Sequence, residues 1–187
     1  IYSPIMILDD LIHLKFPTGK FVDPGKLNLE QIKKHISDIE ILPSQIEDEY
    51  KKIKSNGLIE VAYRPGGWTA RQVVHHLADS HMNALIRFKM TLTEEHPTIK
   101  PYLEARWAEL SDSRELDPQI SIDLLKGIHL KLVSIMRNAS ESDFERVYFH
   151  PESQKEFKLS TASALYSWHG QHHLGHLKTI NNLTTTK

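Results

Sequence analysis

Four of the chain's 12 histidines lie within nine residues, in the stretch WHGQHHLGH that begins at Trp168. They are His169, His172, His173 and His176. Neutral imidazole is the commonest protein ligand of metal ions such as Zn²⁺. Because the chain has no cysteine, a metal site could use only histidine, aspartate or glutamate. The stretch therefore predicts a site for one divalent metal ion.

The spacing allows two different pairs of ligands on one helix. His169 and His173 are four residues apart, and so are His172 and His176. Residues i and i+4 lie about 40° apart around an α-helix, so either pair would point to one side. His169 and His173 continue an apolar stripe that includes Leu177, which favours this pair, but periodicity does not exclude the other. An amphipathic surface carrying all four histidines without a metal is the remaining interpretation.

A third ligand has to come from elsewhere, because Zn²⁺ usually takes at least three from the protein. The best source is the pair His75 and His76 in the apolar segment VVHHLAD. Adjacent side chains on a helix diverge by about 100°, so one of the two can reach the ion. Asp79 lies one turn after both and could hold a ring N–H or a metal-bound water, which makes it the candidate catalytic residue. An ordinary surface carboxylate fits the same spacing.

The elements that would position these residues are four long helices. Apolar periodicity and capping signals predict them at residues 29–55, 70–95, 117–140 and 161–183. Asn28, Thr69 and Ser160 are the predicted N-caps, and Pro43 should kink or break the first helix. RVYF and EFKL could form a small hairpin. We predict an all-α four-helix bundle with irregular connections.

The remaining histidines and the overall composition are ordinary. His35 and His129 stand alone on their helices, and we interpret them as satisfied core or surface groups. The 23 basic and 24 acidic residues give a net charge of −1, which argues against a nucleic-acid partner. No apolar run approaches the ~20 residues of a membrane span. Residues 1–14 read poorly as a signal peptide, and we interpret them as an N-terminal extension to a domain of residues 15–187.

Two segments carry a family resemblance: RPGGWTARQVVHHLADSHMNALIRFKMTLTEEHPTIKPY and YSWHGQHHLGHLKTI. They resemble the DinB/YfiT-like proteins, in particular the YfiT branch of metal-dependent hydrolases, and the similarity covers about residues 15–181. The resemblance implies a four-helix bundle that holds one divalent ion, zinc or nickel, through His76, His169 and His173. It also implies a homodimer in the cytoplasm.

Three functions are compatible with such a site. The first is hydrolysis of an amide, ester or similar bond in a small molecule by metal-activated water. The second is an S-transferase that binds a low-molecular-weight thiol, such as bacillithiol, to the same ion as thiolate. The third is a non-enzymatic metal-binding protein of a stress response. No glutamate stands beside the ligands as a general base, so Asp79, His75 and His172 are the candidate substitutes.

Overall fold

The computed structural model describes residues 8–183 of the chain. Four long helices, of 27, 24, 20 and 24 residues, account for most of it, and a two-stranded antiparallel sheet precedes the last. The predicted all-α four-helix bundle with one hairpin is therefore confirmed. In chain order the elements are α1 (Leu8–Lys15), α2 (Leu29–Ser55), α3 (Ala70–Thr93), α4 (Glu104–Trp107), α5 (Ser111–Glu115), α6 (Gln119–Asn138), α7 (Glu141–Phe144), β1 (Val147–His150), β2 (Lys155–Lys158) and α8 (Leu159–Asn182).

Helices that follow each other in the chain are not always neighbours in the bundle. Both α2 and α3 pack mainly against α6 and α8, and they contact each other only slightly. The order around the bundle is therefore α2, α8, α3, α6, with α2 diagonally opposite α3. The connection across residues 56–69 makes this crossing, which explains why it is longer than a tight bundle turn.

Local sequence signals account for most helix starts. Asn28 and Gln31 form a capping box at α2, and Thr69 and Gln72 form one at α3. The prediction of Ser160 as the cap of the fourth helix is wrong. That helix begins at Leu159, because β2 runs directly into it and the hairpin supplies the anchor: Leu159 N donates to Arg146 O at 3.0 Å.

Pro43 lies inside α2, yet the helix runs on through it without a break. Proline has no N–H, so the carbonyl of Ile39, four residues earlier, lacks its usual helical donor. The ring of His129 on α6 fills this place, with Nδ1 lying 2.5 Å from Ile39 O. The proline thus replaces a hydrogen bond within α2 by one between two helices.

A layer of buried histidines, which includes His81 and His129, divides the core into two apolar clusters. His81 lies between Leu77 of one cluster and Ala84 of the other along α3, and His129 lies between Leu125 and Leu132 along α6. One cluster includes Ile36, Phe88, Leu132, Met136 and Tyr166, and the other includes Leu42, Ile46, Leu77, Leu125 and Leu177. The polar layer crosses the middle of the bundle rather than its surface.

The predicted boundary after residue 14 stays a prediction. Residues 1–7 and 184–187 lie outside the described residues, while α1 contacts α8. The segment after α1 also lies on α8, since Trp168 Nε1 donates to Gly19 O at 3.2 Å. Between residues 8 and 183, no helix combines the length and the apolar character needed to cross a bilayer.

Gly170→Ala should destabilise the protein, because the added Cβ would overlap the side chain of Leu42 where α8 meets α2. Overpacking of this kind costs about 1–3 kcal/mol. Gly127→Ala on α6 is the control, since its Cβ would meet nothing within 4 Å and alanine gains about 0.5–1 kcal/mol in a helix. Urea unfolding measures both. Equal stabilisation by the two changes would contradict the tight α2–α8 contact.

Candidate metal centre

The structure brings together three imidazole rings from two helices that adjoin in the bundle. His76 comes from α3, and His169 and His173 come from successive turns of α8. One nitrogen of each ring lies within 4.8 Å of those of the other two. His76 Nε2 and His169 Nε2 are 3.2 Å apart. This is the same trio that the family resemblance implies.

The spacing of these nitrogens fits a small divalent cation. Two nitrogens bound tetrahedrally to one Zn²⁺ at 2.0–2.1 Å lie about 3.4 Å apart. The observed 3.2 Å between His76 Nε2 and His169 Nε2 is close to this value. A set of three imidazoles suits zinc, nickel and similar borderline cations rather than magnesium or calcium. The residues present therefore fit such an ion without a change of fold.

A second group of ligand atoms adjoins the first and shares one ring. His172, His173 and His176 also bring a nitrogen each within 4.8 Å of one another, all from α8. His173 Nδ1 lies 3.2 Å from His176 Nδ1. His172 Nδ1 is buried and has no hydrogen-bond partner among the described side chains, those of residues 11–183. Both pairs that the spacing left open therefore lie near the same point.

The two groups line a cavity of about 470 Å³, a size typical of small-molecule sites. Aromatic rings and two cationic side chains form much of its wall: Lys15, Phe16, Tyr63, Arg64, Trp68 and Trp168. A larger cavity of about 950 Å³ lies between the start of α2 and α7. Its lining contains no histidine, so we place the chemistry in the smaller cavity.

Burial keeps the clustered histidines neutral. Loss of solvent lowers the pKa of His76 and of His172 to about 4, and that of His176 to about 3. Burial, reinforced by neighbouring imidazoles, holds the pKa of His169 and of His173 well below 6.5. The rings therefore keep a free lone pair at neutral pH, which is the form that binds a metal ion.

The two neighbours of His76 that the sequence singled out lie elsewhere. His75 points toward α5 and α6, with Nδ1 2.7 Å from Ser121 Oγ and Nε2 3.2 Å from Leu116 O. The predicted role of Asp79 stays a prediction. Its carboxyl is half-buried and does not line the cavity, and burial together with the nearby Asp112 raises its pKa to about 6.

Glu104, at the start of α4, is the carboxylate that sequence reasoning missed. Among the described residues it is the only acidic side chain that lines the histidine cavity. It also lines an adjoining cavity of about 170 Å³ with His169. Its side chain is exposed overall, but loss of solvent around the carboxyl and the nearby Glu152 raise its pKa. It lies 28 residues from His76, so no local spacing could have identified it.

A four-helix bundle that gathers histidines from α3 and α8 around one cavity defines the class of this protein. Residues 47–177 match the model of the DinB superfamily. A protein of Bacillus licheniformis, named a "putative metal-dependent hydrolase", is 44% identical over 165 residues, covering 88% of this chain and 93% of the relative. The chain belongs to the DinB superfamily.

Its resemblance to the YfiT branch is equally plain. YfiT of Bacillus subtilis, which carries the same description, is 39% identical over 170 residues, or 91% of this chain and 95% of YfiT. The solved structure of YfiT superposes with a TM-score of 0.89 over 94% of this chain and 99% of YfiT. A mycothiol-dependent maleylpyruvate isomerase, 18% identical, superposes with a TM-score of 0.62 and shares the fold.

Single substitutions should identify the ligands. His76→Ala, His169→Ala and His173→Ala should each reduce the metal content of the purified protein from one ion per chain to a small fraction, because two rings hold a cation poorly. His75→Ala and His172→Ala should leave it near one. Metal analysis by inductively coupled plasma mass spectrometry measures this. Loss of metal in His75→Ala with retention in His76→Ala would refute the assignment on α3.

Acid should destabilise the metal-free protein between about pH 6.5 and 4. The folded pKa of His76 is about 4, below the unfolded value of 6.5, so the unfolded chain binds more protons in this window and stability falls as pH falls. His129 and His172 have the same pKa of about 4 and act in the same direction. Asp79 has a raised pKa and therefore changes the stability in the opposite direction, but it is one group against three histidines.

Thermal unfolding of the metal-free protein at stepped pH values tests this. A midpoint that stays constant from pH 6.5 to 4 would contradict buried, neutral rings. A parallel series on the zinc-loaded protein should release metal over a similar range, because protons compete for the ring nitrogens.

Proposed function

We propose that this chain is a metal-dependent hydrolase of small molecules, with one cation held by His76, His169 and His173. The convergence of these three rings, with two Nε2 atoms 3.2 Å apart, carries the proposal. The YfiT-like relatives, each named a "putative metal-dependent hydrolase", support it. Zinc is the preferred ion and nickel the alternative, because both accept three imidazoles.

A three-ligand site favours catalysis over a structural role. Structural zinc sites are closed by four protein ligands, whereas catalytic sites keep a position for water or substrate. No fourth histidine, aspartate or glutamate joins the trio within residues 11–183, whose side chains the structure describes. When bound, such a cation supplies Lewis-acid polarisation and acidifies water toward neutral pH. These points speak against the third function, a non-enzymatic metal-binding protein of a stress response.

Glu104 is our candidate general base in this reaction. It shares the cavity with His76 and His169. Its side chain is exposed overall, but loss of solvent around the carboxyl raises its pKa, and this direction suits a general base. Asp79 is the alternative that the sequence offers. Its carboxyl lies outside the lining of the cavity, so we prefer Glu104.

The cavity wall indicates an anionic, partly apolar substrate. Arg64 and Lys15 place positive charge beside the histidines, and buried Arg64 Nε has no hydrogen-bond partner within the described chain. Guanidinium groups bind carboxylates well because their donors match in geometry. Trp68 and Trp168 offer flat apolar faces. A homodimer in the cytoplasm remains our expectation from the family resemblance.

A thiol transferase remains the second candidate, because the wall described above also suits an anionic thiol cosubstrate. Zinc-loaded protein would be incubated with p-nitrophenyl esters and with the electrophile monobromobimane, each with and without bacillithiol. The hydrolase proposal expects ester cleavage that needs metal and no thiol. Conjugation that needs bacillithiol, without thiol-independent cleavage, would replace it by the transferase.

Glu104→Gln should lower kcat for the cleaved ester by about 10²–10⁴-fold, the usual contribution of a general base. Metal content should be unchanged, because Glu104 is not a ligand. Asp79→Asn is the matched control and should retain most activity. If Asp79→Asn loses activity and Glu104→Gln keeps it, the two assignments must be exchanged.

A further inference from the structure

A chain of hydrogen bonds runs from His169 across the whole bundle. His169 Nδ1 lies 3.3 Å from His81 Nε2, His81 Nδ1 lies 2.9 Å from His129 Nε2, and His129 Nδ1 lies 2.5 Å from Ile39 O. These residues belong to α8, α3, α6 and α2 in turn. His81 is 0% and His129 2% exposed, so solvent cannot replace the partners of these two rings.

This chain of hydrogen bonds ends on the carbonyl oxygen of Ile39. That acceptor determines which nitrogen of each ring in the chain carries the hydrogen. Ile39 O can only accept, so His129 Nδ1 must carry the hydrogen and His129 Nε2, in the neutral ring, must be the lone pair. His81 Nδ1 therefore donates to His129, which leaves His81 Nε2 as an acceptor. His169 Nδ1 then donates to His81, and the lone pair of His169 is left on Nε2, the atom that faces His76.

The Ile39 carbonyl, on which this chain of hydrogen bonds ends, is available because of Pro43. A residue with an N–H at this position would bond Ile39 O within α2. The proline removes that donor, and His129 is the donor that remains. A single residue on α2 thus frees the acceptor for three rings on three other helices.

A second, shorter chain of hydrogen bonds determines the tautomer of His173 in the same way. His176 Nε2 lies 3.3 Å from the carbonyl of Lys15, so this nitrogen donates and His176 Nδ1 accepts. His173 Nδ1, at 3.2 Å, then donates to it and keeps its lone pair on Nε2. The ring of Tyr63 stacks on His176 with centroids 3.7 Å apart, which holds its plane.

We propose that these two chains fix His169 and His173 as Nδ1–H tautomers, so that both present an Nε2 lone pair to the same cation. His81, His129 and His176 are then positioning residues: they touch no metal and no substrate, but they determine which nitrogen of each ligand is free. The inference rests on the proposed metal site for its purpose, although the tautomers themselves follow from the two carbonyls.

The competing arrangement is a second cation among His172, His173 and His176. His173 could bind two ions only as an imidazolate, a ring with no hydrogen on either nitrogen. The chain of hydrogen bonds to Lys15 O instead needs a hydrogen on His173 Nδ1. The two arrangements therefore differ in one proton and in the number of ions bound. Zinc titration that saturates at two ions per chain would favour the second cation and overturn the shorter hydrogen-bonded chain.

Long-range ¹H–¹⁵N correlation spectra of histidine-labelled protein read the tautomers directly. Resonances are assigned with single His→Gln variants, and spectra are recorded with and without zinc. We expect Nδ1–H at His81, His129, His169 and His173 and Nε2–H at His176 in the zinc-loaded protein, with His81 and His129 unchanged when zinc is removed. An Nε2–H tautomer at His81 or His129 would overturn the proposal.

Variants of His81 test the consequence for the metal. His81→Phe leaves His169 Nδ1 without an acceptor and should weaken zinc binding by about 10–100-fold, as for other residues behind metal ligands. His81→Gln offers a carbonyl oxygen to the same N–H and should restore most of the affinity. Competition with a chromophoric chelator measures both, and the d–d spectrum of the cobalt-substituted protein should change in His81→Phe alone.

His75→Phe is the matched control, because His75 is a buried histidine of the same helix with two hydrogen bonds outside either chain. If the loss of any buried histidine from α3 weakened zinc binding by disturbing the fold, His75→Phe and His81→Phe would weaken it equally. That result would overturn the proposal. The tautomers are measured on the wild-type protein, and their assignment uses His→Gln variants rather than His81→Phe, so the spectra decide the matter even if His81→Phe unfolds. Correct tautomers without zinc binding would refute the proposed function alone.

Discussion

The ring nitrogens of the buried His81, His129 and His176 must find partners inside an apolar bundle, and this constraint shapes the centre of the structure. A buried polar group without a hydrogen bond costs about 1–3 kcal/mol, and several imidazoles lie between the two apolar clusters. The layer meets the requirement by bonding ring to ring and ending on main-chain carbonyls, at Ile39 and at Lys15. The lone pair that remains on His169 Nε2 faces His76 Nε2 at 3.2 Å.

The same constraint links the fold to the chemistry. The crossing order of the helices puts α3 and α8 side by side, so that His76 meets His169 and His173, and it puts α6 and α2 behind them. Pro43 looks unfavourable in a helix when α2 is considered alone. In the bundle it exposes the acceptor on which the longest chain of hydrogen bonds ends.

The sequence predicted the parts that depend on local spacing. The four long helices, the caps at Asn28 and Thr69, and the hairpin follow from periodicity and capping, and the structure confirms them. The stripe on α8 favoured His169 and His173, and the family resemblance added His76. Glu104 and His81 could not be found in this way, because their relation to the cavity exists only after distant segments pack.

His129 shows the same limit of prediction from local sequence spacing. Alone on its helix it looked like an ordinary satisfied residue, and it is satisfied, but by His81 and by a carbonyl 90 residues away in the sequence. The chemistry of this site depends most on where a cation binds. Anomalous diffraction from a zinc-loaded crystal measures this directly. We expect one ion about 2.0–2.1 Å from Nε2 of His76, His169 and His173; an ion held instead by His172, His173 and His176 would contradict the account.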